Sequence, residues 1–275
     1  MKSLVRQFAL DEIEGLGYFR DVVWAESVDS TNKQLAQSVR QDSIALPALL
    51  VADEQTTGVG RGINQWWSNS GCLMFSMAIP VGDPEQSSCI SSDLLPLRVG
   101  FAVAECLAGF SVAKPLVKWP NDVYIVGRKV CGVLIEVIPR PLAQTAIAII
   151  GIGINCRVDF RNAPIDIQTN ATSLHTCVKK ASVESVSTES VLVAFIHRWL
   201  ELQQRQREDP KWLLKCWPKC SLLDGHWIDV KHSAGISQGR CLGINGSGAI
   251  LIQNEQLEVV EVLAGTVRSY RLLQS

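Results

Sequence analysis

The stretch LVKWPNDVYIVGRKVCGVLIEVIPRPLAQTAIAIIGIGIN, residues 116–155, decides the fold. It contains four runs of β-branched and other apolar residues separated by short turns, which is typical of β-strands. The turn Val126-Gly127-Arg128 suits a hairpin. Because no helix separates these strands, the sequence predicts a mixed or antiparallel sheet. The four predicted strands are Leu116–Trp119, Val123–Val126, Val130–Ile138 and Thr145–Ile154.

Helices and further strands flank this stretch. Ser30-Thr31-Asn32 is typical of a helix start, because a Ser or Thr side chain can cap a helix while Gln34 reaches back from three residues beyond Thr31. This helix should run to about Val39. The polar segment between Asn155 and Ser173 is expected to be a mobile loop over a site. Apolar patterns predict strands at Leu46–Ala52 and Leu73–Ile79, helices over Ser91–Phe110 and Pro210–Pro218, and a long helix with the buried stripe Val191, Phe195, Trp199 and Leu202.

The pattern changes from about Leu222 onward to short β-type segments separated by glycines. The segments HWIDVKH, GRCLGIN, GAILIQ, EVVEVLAG and TVRSYRL predict a small β-barrel of ~50 residues. The sequence therefore predicts an α+β protein with a larger domain over residues 1–220 and a small β domain over 221–275.

Charge and hydropathy exclude several classes of protein. The 26 Lys and Arg residues are balanced by 27 Asp and Glu, so the broad basic field of a DNA-binding protein is absent. The longest apolar stretches, Ile44–Ala52 and Ala146–Ile154, are shorter than the ~20 residues that span a bilayer. The acidic N-terminus is unlike a secretory signal, and the nine cysteines form no CxxC pair. We expect a cytoplasmic protein with no DNA or membrane partner, no disulfide framework and no zinc site.

Three motifs could bind a ligand. In the glycine-rich loop QTTGVGRG, residues 55–62, backbone N–H groups and Arg61 could grip a phosphate or carboxylate, although a plain flexible turn has the same composition. Lys118, in KWPND at a strand end, could neutralise a carboxylate and a phosphate together, or be a solvated edge lysine. The glycines of GIGIN, residues 151–155, indicate either a ligand close to the strand or tight helix–sheet packing.

Together with Ser30-Thr31-Asn32, these motifs resemble the conserved blocks of the biotin protein ligase family. The order and spacing match STN, QTTGVGRGINQWWS, KWPND, RKVCGVLIE and GIGIN, and the resemblance covers roughly Val23–Leu174. It implies the class II aminoacyl-tRNA synthetase-like core of the biotin and lipoate ligases. The C-terminal segments resemble that family's SH3-like domain more loosely. Since about 20 residues precede the ligase core, the N-terminal helix-turn-helix of the repressor members is expected to be missing.

The resemblance also implies roles for individual residues. Arg61 and Lys118 would be the catalytic residues, and Val59, Ile63 and Asn64 depart from the arginine or glycine of many bacterial members. The metal ligands are unknown, with Asp122 or Glu136 as candidates. The loops 58–68 and 156–172 would order over the adenylate. The biotin site would comprise Ser30, Thr31, Asn32, Gln55, Val59, Gly60, Arg61, Lys118 and Gly132, and the nucleotide site Arg61, Trp66, Lys118, Gly153 and Asn155.

The implied reaction has two halves. Biotin and ATP give biotinyl-5′-AMP and pyrophosphate, and a lysine of a biotin carboxyl carrier protein domain then displaces AMP. Mg²⁺ would accompany ATP, no tightly bound prosthetic group is expected, and a homodimer is compatible with the resemblance. Two alternatives remain open at this point: a lipoate or octanoate ligase of the same fold, and a non-enzymatic biotin-sensing binding protein.

Overall fold

The computed structural model describes residues 2–62, 64–82, 94–140, 145–178 and 185–271. Its elements in chain order are α1 (Lys2–Gly15), β1 (Asp21–Val28), α2 (Thr31–Arg40), β2 (Ala48–Gln55), β3 (Cys72–Val81), α3 (Leu95–Ala108), β4 (Leu116–Lys118), β5 (Asp122–Ile125), β6 (Arg128–Arg140), β7 (Thr145–Asn155), α4 (Ile165–Asn170), a 3₁₀ turn (Leu174–Cys177), α5 (Thr188–Glu208), α6 (Trp212–Cys220), β8 (Trp227–His232), β9 (Gly235–Ile244), β10 (Ile250–Gln253), β11 (Val259–Val262) and β12 (Thr266–Arg271).

The larger sheet has seven strands in the order β1-β2-β3-β7-β6-β5-β4. Only β1 and β2 are parallel, and the other neighbours are antiparallel, which confirms the predicted mixed sheet. The β5–β6 hairpin turns at Val126 and Gly127, whose φ angles of 49° and 70° are those that a two-residue hairpin turn needs. The four strands predicted between residues 116 and 155 are therefore present.

Helices cover both faces of this sheet. On one face α3 and α5 build the main core, in which Phe75 of β3 packs on Phe195 with ring centroids 5.2 Å apart. On the other face α2 packs Leu35, Ala36 and Val39 against a smaller apolar cluster. Side chains alternate between the faces along a strand. In β7 the residues Ala148, Ile150, Ile152 and Ile154 enter the main core, whereas Ile147, Ile149, Gly151, Gly153 and Asn155 face the side of α2.

The C-terminal strands form a second, antiparallel sheet in the order β11-β10-β9-β8-β12. Within the described ranges β11 and β12 are its two edges and do not pair with each other, so the sheet is open and the predicted closed barrel is not observed. Its inner residues, such as Ile228 and Ile252, belong to the main core. Trp119 Nε1 donates to the Gly248 carbonyl at 2.9 Å, which further ties the two sheets together.

Two local predictions need correction. The N-cap of α2 is Ser30, but its side chain makes no capping hydrogen bond. Instead the Thr31 N–H donates to Gln55 Oε1 at 2.7 Å, so a neighbouring strand satisfies the helix start. The segment between Asn155 and Ser173, expected to be a mobile loop, contains α4 and buries Val158. The start of the helix predicted from Ser91 lies outside the described residues.

None of the helices in the described part of the chain is both long and apolar enough to cross a bilayer.

Candidate functional site

A cavity of about 210 Å³ lies where the N-terminus of α2 meets the sheet. Its floor is formed by β6 and β7, one wall by the loop that follows β2, and part of its rim by β12. Its lining includes Ser30, Thr31, Asn32, Gln55, Val59, Gly60, Arg61, Trp66, Asp122, Lys129, Gly132, Gly151, Gly153 and Thr266. The structure thus brings together eleven of the predicted site residues or motif glycines from four separate parts of the sequence.

Glycines make the floor of the cavity. Gly151 and Gly153 of β7 pair with Leu134 and Gly132 of β6, respectively. A Cβ at Gly151 would lie 2.1 Å from Asn32 Oδ1, and a Cβ at Gly153 would lie 2.4 Å from a Trp66 ring atom. The glycines of GIGIN therefore allow site side chains to approach the strand closely, and at Gly151 that side chain is Asn32, in the first turn of α2.

A buried polar cluster forms one end of the cavity. Ser30, Thr31 and Asn32 are at most 4% exposed. Ser76 Oγ of β3 lies 2.7 Å from Asn32 Oδ1 and 2.8 Å from Thr31 Oγ1. Asn32 Nδ2 donates to Glu136 Oε2 at 2.9 Å. This network fixes both hydrogen-bonding ends of the Asn32 amide and presents a rigid polar surface to a ligand.

Gln55 supports the same cluster from the end of β2. Its Oε1 accepts from the Thr31 backbone N–H at 2.7 Å and from Thr31 Oγ1 at 3.1 Å. The side chain of Gln55 also lines the cavity. Because this oxygen is occupied by Thr31, the amide nitrogen is the part of Gln55 that can reach a ligand.

The glycine-rich loop closes one side of the cavity. Val59 pairs with Gln65 in an isolated bridge, and Gly60 N donates to the Asn64 carbonyl at 2.9 Å. Arg61 Nη2 donates to the Gly265 carbonyl at 2.5 Å and to Thr266 Oγ1 at 3.0 Å. Burial lowers the pKa of Arg61, and the nearby Asp122 carboxylate acts in the opposite direction. Arg61 is thus held over the cavity by the C-terminal sheet.

Lys129 is the lysine that lines the cavity. Its Nζ lies 2.7 Å from Asp122 Oδ1 and 5.7 Å from the centre of the Trp66 ring. The strand β6 has an extra residue at this point, since Val123 pairs with Cys131 and Tyr124 with Lys129. This bulge brings Lys129 to the same face as Gly132, three residues later, so that the two lie in contact.

Lys118 lies elsewhere. It is absent from the described lining of the cavity, and its Nζ instead lies 3.4 Å from Tyr124 Oη, between the rings of Tyr124 and Tyr270. Burial is the main cause that lowers the pKa of Lys118; Asp122 raises it and Lys129 lowers it further. The structure therefore does not place Lys118 beside the other predicted biotin residues.

A second cavity, of about 220 Å³, adjoins the first. Asn155 lines it together with Trp67, Tyr124 and Phe160, and Trp66 and Lys129 line both cavities. Asn155 is buried and its Nδ2 donates to the Thr172 carbonyl at 3.1 Å. Trp66 Nε1 lies 3.3 Å from Cys72 Sγ, which holds the indole ring between the two spaces.

Ser76, Lys129 and Thr266 were given no site role from the sequence, and Asp122 was named only as a candidate metal ligand. Ser76 lies inside an apolar strand and Thr266 lies 205 positions after Arg61, so neither carries a local signal. Lys129 and Asp122 both lie in quoted motifs, RKVCGVLIE and KWPND. A cation next to a predicted hairpin turn, three residues before a strand glycine, is the signal that could have pointed to Lys129.

Comparisons with known proteins agree with this geometry. The model of the Biotin/lipoate A/B protein ligase family matches residues 24–155. The bifunctional ligase/repressor BirA of Bacillus spizizenii is 28% identical over 242 residues, which are 86% of this chain and 70% of that protein. The biotin--[acetyl-CoA-carboxylase] ligase of Mycobacterium tuberculosis is 30% identical over 170 residues, which are 60% of this chain and 59% of that protein.

A solved structure has the same architecture. The biotin protein ligase from Aquifex aeolicus in complex with biotin and ATP superposes with a TM-score of 0.73 at 29% identity, covering 93% of this chain and 100% of that chain. The matched segment 24–155 contains the polar cluster, the glycine-rich loop, both lysines and the glycine floor. The sequence motifs, the cavity and these similarities lead to one conclusion: this chain belongs to the biotin protein ligase family.

Proposed function

We propose that the protein is an ATP-dependent ligase that activates biotin as biotinyl-5′-AMP and transfers biotin to a lysine of a carrier protein. One observation supports this proposal above the others. A single cavity joins the buried polar cluster at Asn32 to the cations Arg61 and Lys129. Asn32 lies over Gly151, and Trp66 and Lys129 lie over the next glycine pair, two residues or about 7 Å along the strands. The cavity fits an elongated ligand with a polar head and an anionic end.

The polar cluster suits the cyclic urea of biotin. That group offers two N–H donors and one carbonyl acceptor, and it needs partners of both kinds in a buried site. Ser30 and Thr31 supply hydroxyl groups, and the amide nitrogen of Gln55 is left to donate to a ligand. Because Ser76 and Glu136 fix Asn32, the cluster is ordered before the ligand arrives.

The first half-reaction joins two anions. An oxygen of the biotin carboxylate forms a bond to the α-phosphorus of ATP while the bond to pyrophosphate breaks. The carboxylate is already ionised at neutral pH, so this step needs charge neutralisation and no general base. We assign that neutralisation to Lys129 and Arg61, since both line the cavity. Lys118, which the sequence favoured for this role, lies next to Tyr124 of the second cavity, and its contribution to nucleotide binding stays a prediction.

The second cavity is our candidate for the nucleotide site. Trp66, Trp67 and Phe160 offer aromatic faces to an adenine ring, and Asn155 supplies a polar edge. The structural relative from Aquifex aeolicus holds biotin and ATP. The predicted nucleotide roles of Trp66, Gly153 and Asn155 agree with this position. Trp66 and Asn155 line the cavity, and the absence of a side chain at Gly153 leaves room for the Trp66 ring.

Mg²⁺ is proposed to enter with ATP. Among the described residues, no three His, Cys, Asp or Glu side chains form a metal site. Asp122 is the one carboxylate in the described cavity lining, so it could supply an oxygen ligand to a magnesium ion that phosphate oxygens also coordinate. Glu136 suits this role less, because it is absent from the described lining of the cavity and its carboxylate accepts from Asn32. Bound there, the ion would supply further neutralisation of the phosphate charge.

In the second half-reaction an acceptor lysine forms an amide bond to the acyl carbon, and AMP leaves. The amine must lose a proton before attack, because a free lysine is mostly protonated at neutral pH. A biotin-carrier protein is the partner that this chemistry requires. We propose that it is the carrier domain of a biotin-dependent carboxylase, as the name of the Mycobacterium tuberculosis relative suggests.

Several finer features stay predictions. We propose that the C-terminal sheet is an SH3-like module and that the chain divides at residues 220 and 221, where α6 ends before β8. A homodimer and a cytoplasmic location also stay predictions. Analytical ultracentrifugation of the ligand-free and adenylate-bound protein tests the first of these two, and cell fractionation tests the second.

The experiment is transfer to a carrier domain. The full chain is incubated with ATP, Mg²⁺, biotin and a purified carrier domain, and biotin incorporation is read by mass spectrometry. We expect one added biotin on the acceptor lysine, none without ATP, and none when that lysine is replaced by arginine. A chain that binds biotin but yields no adenylate and no transfer would support the binding-protein alternative.

A further inference from the structure

The C-terminal sheet contributes directly to the proposed site through the start of β12. Thr266 is the first residue of β12 and lines the first cavity. Its hydroxyl and the preceding carbonyl of Gly265 both accept from Arg61 Nη2, at 3.0 Å and 2.5 Å. Within the described ranges the Arg61 side chain makes no other hydrogen bond, so these two bonds set the position of its guanidinium group.

The position of the Gly265 carbonyl is fixed by packing. A Cβ at Gly265 would lie 2.8 Å from both the Lys231 carbonyl oxygen and Val230 Cγ1, so the chain passes close to β8 here. Thr266 pairs with Lys231 of the same strand. The two acceptors of Arg61 are therefore carried by a rigid sheet, whereas Arg61 itself lies on a glycine-rich loop.

The contact leaves most of the guanidinium group available. Both bonds use Nη2, and Nε and Nη1 make no hydrogen bond within the described residues. These two nitrogens can grip a phosphate through two parallel bonds. Because a carbonyl and a hydroxyl carry no charge, the positive charge of Arg61 stays available to an anionic ligand. A carboxylate partner would neutralise that charge.

We propose that Thr266 is a positioning residue of the ligase site, which holds Arg61 over the cavity and so retains the acyl-adenylate. This inference rests on the proposed function. It assigns the C-terminal sheet a part in keeping the intermediate, through a side chain and a carbonyl that act on the ligand through Arg61.

The test compares Thr266→Val with Thr266→Ser. Valine keeps the shape and strand preference of threonine but removes the hydroxyl, whereas serine retains it. The measurement is the dissociation rate of preformed labelled biotinyl-AMP, chased with unlabelled ligand. Since a hydrogen bond to a charged group is lost while the Gly265 carbonyl remains, we expect the valine variant to release the adenylate about 5- to 20-fold faster. The serine variant should stay within about twofold of the wild type.

A second measurement separates positioning from folding. On an Arg61→Gly background, Thr266→Val should change the dissociation rate no further, because its effect passes through Arg61. The melting temperature of Thr266→Val should match that of the wild type. The inference would be overturned if Thr266→Val released biotinyl-AMP at the wild-type rate, or if Thr266→Ser accelerated release as much as Thr266→Val does. It would also be overturned if Thr266→Val accelerated release further on the Arg61→Gly background. If the wild type forms no biotinyl-AMP at all, the proposed function fails as well.

Discussion

Replacement of Gly151 by alanine should weaken biotin binding strongly, because this glycine makes room for Asn32. A Cβ at position 151 would lie 2.1 Å from Asn32 Oδ1, whereas ordinary contacts begin at 3.4 Å. The amide must therefore withdraw by more than 1 Å. Its bonds to Ser76 Oγ, at 2.7 Å, and to Glu136 Oε2, at 2.9 Å, cannot both survive that movement.

The size of the effect follows from those two bonds. A buried polar group that loses its partner costs about 1–3 kcal/mol. Because the surrounding side chains relax in part, loss of the two bonds should cost about 2–4 kcal/mol in total. If the whole cost falls on the bound state, the Kd for biotin rises about 30- to 800-fold. Part of it will instead lower the free energy of unfolding, since Ser76 is buried in β3.

The assay is isothermal titration with biotin, together with urea unfolding of the same variants. Gly153→Ala is the matched control on the same strand, because its Cβ would meet Trp66 at 2.4 Å and spare Asn32. We expect it to keep biotin affinity and lose nucleotide affinity. Gly246→Ala, with nothing within 4 Å, should change neither. Biotin binding by Gly151→Ala equal to that of the wild type would refute the role given to Asn32.

Three further predictions concern charge and reactivity. Lys129→Ala should slow biotinyl-AMP formation about 100- to 1,000-fold, and Lys118→Ala should slow it less than tenfold, as measured by pyrophosphate release. A larger effect of Lys118→Ala than of Lys129→Ala would restore the role that the sequence gave to Lys118. Arg61→Gly should release biotinyl-AMP faster and biotinylate albumin, whereas slower synthesis with unchanged release would assign Arg61 to the chemical step. Burial raises the pKa of Cys72 to about 12, so at pH 8 this thiol stays protonated, and iodoacetamide should label the half-buried Cys177 and Cys216 before Cys72. Mass spectrometry showing that native Cys72 is labelled before them would contradict this.

The sequence predicted the sheet and the long helices because their signals are local. The turn at Val126 and Gly127 and the stripe from Val191 to Leu202 depend on short-range periodicity and turn chemistry. The start of α2 was placed correctly, although its cap was not. Gln55, which satisfies Thr31, lies 24 residues away and reaches it only through the pairing of β1 with β2.

The position of each lysine could not be predicted in this way. Simple alternation places Lys129 and Gly132 on opposite faces of β6, and the bulge reverses that result. Lys118 lies on the short edge strand β4, where its surroundings depend on Tyr270 of the C-terminal sheet. Closure of the predicted barrel depends on whether β11 and β12 pair with each other, and the strand patterns do not show that these consecutive strands lie at opposite edges of the sheet. Contacts of this kind are set by tertiary packing and leave no local pattern.

The most direct test of the central claim is pyrophosphate release from ATP by the purified full chain, measured with biotin, with lipoate, with octanoate and with no acid. We expect pyrophosphate release that depends on biotin, with an equal amount of biotinyl-AMP found by mass spectrometry. Release that requires lipoate or octanoate instead would contradict the assignment of the polar cluster at Asn32 to the cyclic urea of biotin. Biotin binding without any pyrophosphate release would contradict the role given to Arg61 and Lys129.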